Sequence, residues 1–159
     1  MKETLKAAKQ KMKNDSRAYN TYGYYLSLPI LFIALIVLSF LGIDMGRTAG
    51  QILFIFTILA HVEVRKLKLV SKRKYVAPSL LYASNIVSLL LIPLLIADFS
   101  QGGFGDTYFV LLGLILTPIQ LLMIIFFFIS AADIKRAYPT MKQDAKNSRA
   151  EYLLIKKSK

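Results

Sequence analysis

Four uncharged, apolar runs alternate with short segments that hold nearly all of the charge. The runs cover residues 18–43, 48–62, 75–97 and 107–132. A helix that crosses the hydrocarbon core needs roughly 20 predominantly apolar residues. Three runs reach that length. The second has 15 uncharged residues, about 22 Å of helix against a core of roughly 30 Å. It reaches across if the helix continues through Glu63 to about Leu67, with Arg65 and Lys66 bending their charged ends toward the headgroups. A soluble amphipathic helix intermixes polar and apolar residues, whereas here they are segregated into blocks. The pattern predicts an all-α membrane protein, a four-transmembrane-helix bundle with spans at about 24–43, 48–67, 76–97 and 107–131. A basic tail, residues 1–19, precedes the membrane domain of residues 20–132, and a second basic tail, residues 133–159, follows it.

Charge turns this pattern into an orientation. All but one of the 21 Lys and Arg fall in the two tails and the loop between spans two and three; the exception is Arg47. The two loops on Arg47's side carry Asp44, Asp98 and Asp106 instead. Short loops rich in Lys and Arg stay in the cytoplasm, so both termini and residues 65–74 are expected there, in the plasma membrane and most simply a bacterial cytoplasmic membrane. An even number of spans requires the termini to share a side, and the charge count says the same independently. The first run is too long for the apolar core of a signal peptide, and no small-x-small cleavage pattern follows it. Tyr19, Tyr22, Tyr24 and Tyr25 crowd its entrance, where amphipathic rings favour the headgroup level.

Composition removes whole classes of chemistry. With 159 residues and no cysteine, the chain has no room for a further soluble domain and no thiol catalysis, disulfide or Cys-based metal site. One His and nine carboxylates, none at mid-membrane, leave little for acid–base work. The expectation is a non-enzyme without a cofactor or metal. Gly102, Gly103 and Gly105 lack the Lys-Ser/Thr that a phosphate-binding loop requires, and read as a turn.

Polar residues inside the runs are the remaining candidates. Thr57, Asn85 and Gln120 fall near the midplane of spans two, three and four. An amide in hydrocarbon needs a partner, so Asn85 and Gln120 either clasp each other or line a cavity for a ligand or partner helix. His61, Glu63 and Lys66 form a polar cluster at the inner boundary; Glu63 and Lys66, three apart, can pair on one helical face. Arg17, Arg65, Lys66, Lys74, Lys135 and Arg136 stand where lipid phosphates lie. Each tail carries a thin apolar stripe, Leu5, Ala8, Met12 and Tyr19 in one, Met141, Ala145, Tyr152 and Ile155 in the other. Basic helices of this kind lie along anionic leaflets. The expected partners are therefore anionic headgroups, and either another membrane protein or a second copy of the chain, but not nucleic acid. Small residues in span three (Ala77, Ser79, Ala83, Ser84, Ser88) permit close helix contact. The function this supports is binding of another membrane component, as an accessory subunit or a bacteriocin-immunity-type protein; the alternative is a homo-oligomeric channel, holin or small transporter.

Overall fold

Bilayer-length apolar runs become long helices, because a chain leaving water must satisfy every backbone group within itself. The computed structural model describes residues 2–43, 46–103 and 105–157. Its helices are α1 (Lys2–Phe40), α2 (Gly46–Val64), α3 (Val76–Leu90), α4 (Ile92–Ser100), α5 (Asp106–Ala137) and α6 (Met141–Lys157), with a 3-10 turn at Lys72–Tyr75 before α3. Among the described residues there is no strand. Three segments are long and apolar enough to cross a membrane, Glu3–Phe40, Lys72–Ser100 and Tyr108–Ala137, while Ala49–Val64 is apolar but shorter. The chain is thus helical and of membrane type.

Two helix ends are fixed by the same device. Gly42 adopts φ 75°, its N–H donates to Ser39 O at 3.0 Å, and the N–H of Ile43 donates to Leu38 O at 3.0 Å. Gly102, at φ 78°, closes α4 the same way, with the Gly103 N–H on Asp98 O. Each turn pairs carbonyls that the helix's own ladder would leave free. The third apolar run is divided at Leu91, two residues before Pro93, which has no N–H to continue the ladder.

The sequence places the first tail along the leaflet, yet α1 runs unbroken from Lys2 to Phe40. Its first half packs against α6, the most extensive helix–helix contact in the molecule. Leu5, Ala8, Met12 and Asp15 repeat at 3-4 spacing, as do Met141, Ala145, Ser148, Tyr152 and Ile155, and Ala8, Met141, Ala145 and Ser148 are buried. Two heptad-like stripes, with the small Ala8, Ala145 and Ser148 among them, cover each other. The result is a two-helix hairpin in place of two surface helices.

Beyond the hairpin, the core gathers in one half of the bundle. Tyr25 and Leu28 of α1, Ala60 and Val64 of α2, Ala77 and Leu81 of α3, and Met123, Phe127, Ala131 and Ile134 of α5 are all buried. Leu67 and Val70, in the loop after α2, are buried with them. The ring of Tyr25 meets Phe127 edge-on at 5.2 Å. In the opposite half, no described residue of α4 is buried, nor any of α5 before Met123.

Candidate functional site

The half of the bundle that carries the core also carries the basic segments, because the chain after α2 folds back over it. The helix α2 ends at Val64, three residues short of the expected Leu67, and the last turn tightens, with the Leu67 N–H on Val64 O at 3.0 Å. That turn lets Leu67 and Val70 enter the core. The Tyr25 hydroxyl donates to Lys74 O at 2.6 Å. The Ser71 hydroxyl donates to Asp133 Oδ2 at 3.3 Å and the Ser130 hydroxyl to Arg73 O at 3.4 Å. Residues 65–74 are therefore strapped to α1 and α5 at once. Lys74, expected among lipid phosphates, is instead 5 % exposed. Its ammonium donates to Leu67 O and lies 5.2 Å from the centre of the Tyr75 ring. A buried ammonium needs such partners, and the loop fold supplies them before any headgroup could.

The inner-boundary cluster divides in two. Glu63 Oε1 accepts from Lys66 Nζ at 2.8 Å, and Glu63 Oε2 lies 3.3 Å from Arg17 Nε without the alignment of a hydrogen bond. Glu63 thus bridges α1 to the end of α2. His61 turns to the other side, its Nδ1 3.1 Å from the Tyr82 hydroxyl and its ring stacked on Tyr82 at 5.6 Å. No spacing in the sequence singles out Tyr82, which lies 21 positions from His61. Arg65, Lys135 and Arg136 are exposed at this end.

The midplane residues do not converge. The Thr57 hydroxyl, buried, donates to Leu53 O at 2.9 Å, and the Asn85 amide donates to Leu81 O at 2.8 Å. Ser84 and Ser88 likewise bond carbonyls of their own helix. Asn85 is exposed on α3 and lies outside the buried set of Ala77, Pro78, Leu81 and Ser84. Gln120 makes no clasp with it. Gln120 instead lines a groove of about 360 Å³ in the thinly packed half, walled by Phe32, Leu35, Ile36, Phe40 and Leu53 together with Ser39 and Gly50. No hydrogen bond to its amide occurs among the described residues. The wall residues repeat at i, i+3, i+4 and i+8 along α1, a helical stripe hidden by the uniform hydrophobicity around it.

At the hairpin, Lys11 Nζ donates to Glu151 Oε2 at 2.7 Å. The hydrogen bond first and the carboxylate charge second hold the Lys11 ammonium above its ordinary pKa. Lys11, Arg17, Asp15, Asp144 and Glu151 line one groove beside the hairpin, a mixed-charge surface. No group of three or more His, Cys, Asp or Glu residues able to hold a metal occurs among the described residues. Comparison with known proteins finds no matching family model, no matching curated protein and no matching solved structure.

Proposed function

We propose that this chain is a four-span plasma-membrane protein with both termini in the cytoplasm, and that it works by docking a helix of another membrane protein in the groove at Gln120. The fourth crossing is α2. Its 19 residues give about 28 Å of helix, close to the hydrocarbon thickness. It links the far end of α1 to a loop that is bonded to Tyr25, past the middle of α1, and to the end of α5, so it runs alongside the whole apolar half of α1. With the N-terminus, the loop and the C-terminal helix at one end, the basic residues mark that end as cytoplasmic.

The observation that carries the docking reading is the amide of Gln120, with no hydrogen-bond partner among the described residues, in a mostly apolar groove on the outside of the bundle. In hydrocarbon such a group is stabilised by a donor or acceptor on a neighbouring helix, and the bond contributes about 0.6–2 kcal/mol. A channel or holin lined by Thr57, Asn85 and Gln120 draws less support, since Thr57 and Asn85 spend their hydrogen bonds on their own helices and do not share a path with Gln120. Acid–base catalysis lacks clustered titratable groups in the membrane half that holds the groove.

Two measurements test this. Gln120→Leu is expected to weaken recovery of a stoichiometric membrane partner about tenfold, the upper end of one interhelical hydrogen bond, with unchanged melting temperature. Ion or solute flux from the pure protein in liposomes would replace docking with permeation. For orientation, single cysteines at Ser71 and Ser100 are read with an impermeant thiol reagent on intact cells. Ser100→Cys is expected to label and Ser71→Cys to stay protected; the reverse inverts the topology.

A further inference from the structure

The α1–α6 hairpin has two unlike long faces. One holds the acids Asp15, Asp144 and Glu151 together with Lys11 and Arg17. The other is formed by two adjoining grooves of about 840 and 440 Å³. Lys6, Lys9 and Lys13 of α1 line one side, and Lys142, Lys146 and Arg149 of α6 the other. No Asp or Glu lines either groove. Between the rows lie Tyr19 and Leu153, 40 % and 44 % exposed, beside Tyr152.

The spacing within each row is three or four residues, which puts like charges side by side on one helical face. Such pairs destabilise an isolated helix by a few tenths of a kcal/mol each. Nothing internal to these grooves offsets that repulsion, so the face is suited to an anionic occupant. Its own bilayer is the obvious polyanion, but geometry opposes it. A helix continuous through Lys2–Phe40 cannot lay its first half on the surface while its second half crosses the core. Lys6 lies 14 residues from Asn20, about 21 Å along the axis, beyond a Debye length of about 8–10 Å. Between the rows Met12, Tyr19, Tyr152 and Leu153 form an apolar strip beside the uncharged Gln10, Ser16 and Asn20, and such a strip flanked by charge can take the apolar stripe of an amphipathic helix.

We propose that this face binds an acidic amphipathic helix of a protein partner, its leucine-type stripe over Tyr19, Tyr152 and Leu153 and its carboxylates against the two basic rows. The proposal takes from the preceding section only the compartment in which the hairpin stands. The test uses the full-length protein in nanodiscs of zwitterionic lipid. The probe is a synthetic peptide of about 18 residues, five turns, with Leu at helical spacing and Glu on both flanks. Saturable one-to-one binding is expected, with helix formation in the peptide. Lys9→Gln, Lys13→Gln and Arg149→Gln combined should weaken it at least about tenfold. Leu153→Ser alone should weaken it severalfold at unchanged melting temperature, and Lys11→Gln on the opposite face should leave it alone.

Equal affinity for the triple variant, or absence of binding by the native chain, overturns the proposal. So does equal or tighter binding of a leucine-free poly-Glu peptide, of a DNA duplex, or of vesicles rich in anionic lipid, each of which names a different occupant. Failure here leaves the Gln120 groove untouched, because the peptide is offered from water and the groove opens within the bilayer.

Discussion

The two halves of the helical bundle are built on opposite terms. In the basic-end half, polar groups reach across the sequence: Tyr25 to Lys74, Ser71 to Asp133, Arg17 to Glu63. In the far half and at the midplane, Thr57, Asn85 and Ser88 bond only the carbonyl four residues back. The first half fixes which helix stands beside which. The second leaves helix faces and one amide open to whatever lies alongside. Tight packing and open helix surface are thereby assigned to different ends of the same helices.

The contrast can be broken by truncation. Phe127→Ala removes a ring that is 2 % exposed and is expected to cost about 3 kcal/mol, read as unfolding in detergent. Leu114→Ala and Phe99→Ala, at side chains 69 % and 56 % exposed, should stay within about 0.5 kcal/mol. Comparable losses at both ends would dissolve the distinction. Tyr25→Phe comes next: it keeps the ring against Phe127 but strands the carbonyl of Lys74, for an expected loss of about 1–2 kcal/mol.

A double-mutant cycle on Asn85→Leu and Gln120→Leu sharpens the picture at the midplane. Because the two amides face different surroundings, their effects should add, with coupling below about 0.5 kcal/mol; larger coupling would restore the clasp. The smallest effect is expected at the hairpin's exposed ion pair. Glu151→Gln should barely move the melting temperature, since exposed pairs are screened by solvent and salt. A lysine pKa raised on folding gives stability that is fully present below its ordinary 10.5 and lost only above it. A pH titration of unfolding between 6 and 9 should therefore show no step from this pair.

What could be read from the sequence follows from how local each cause is. Crossing a bilayer is a property of a single segment, so the long apolar helices were legible, as was the glycine turn at Gly102. The hairpin was not, because the stripe of Met141, Ala145 and Tyr152 fits a leaflet and a second helix equally well. Only the matching 3-4 stripe of Leu5, Ala8 and Met12 decides between them, and that requires knowing that the two ends meet. Lys74 failed for a related reason. Its burial depends on Leu67 and Val70 entering the core, a fold of the loop that no residue in it announces. The groove at Gln120 was half legible: the polar residue stood out, but its apolar walls did not.

The unbroken α1 makes the protein a lever. Its 39 residues form a rod about 58 Å long, with the two basic rows near one end and the wall of the Gln120 groove near the other. The fulcrum is the tightly packed collar at Tyr25 and Leu28, close to Pro29, which is buried in the same collar. A pivot at that collar would carry Phe32 to Phe40, and with them one wall of the groove, opposite to Lys6 to Lys13, and the rod bends most easily at Pro29, which has no N–H for the carbonyl of Tyr25.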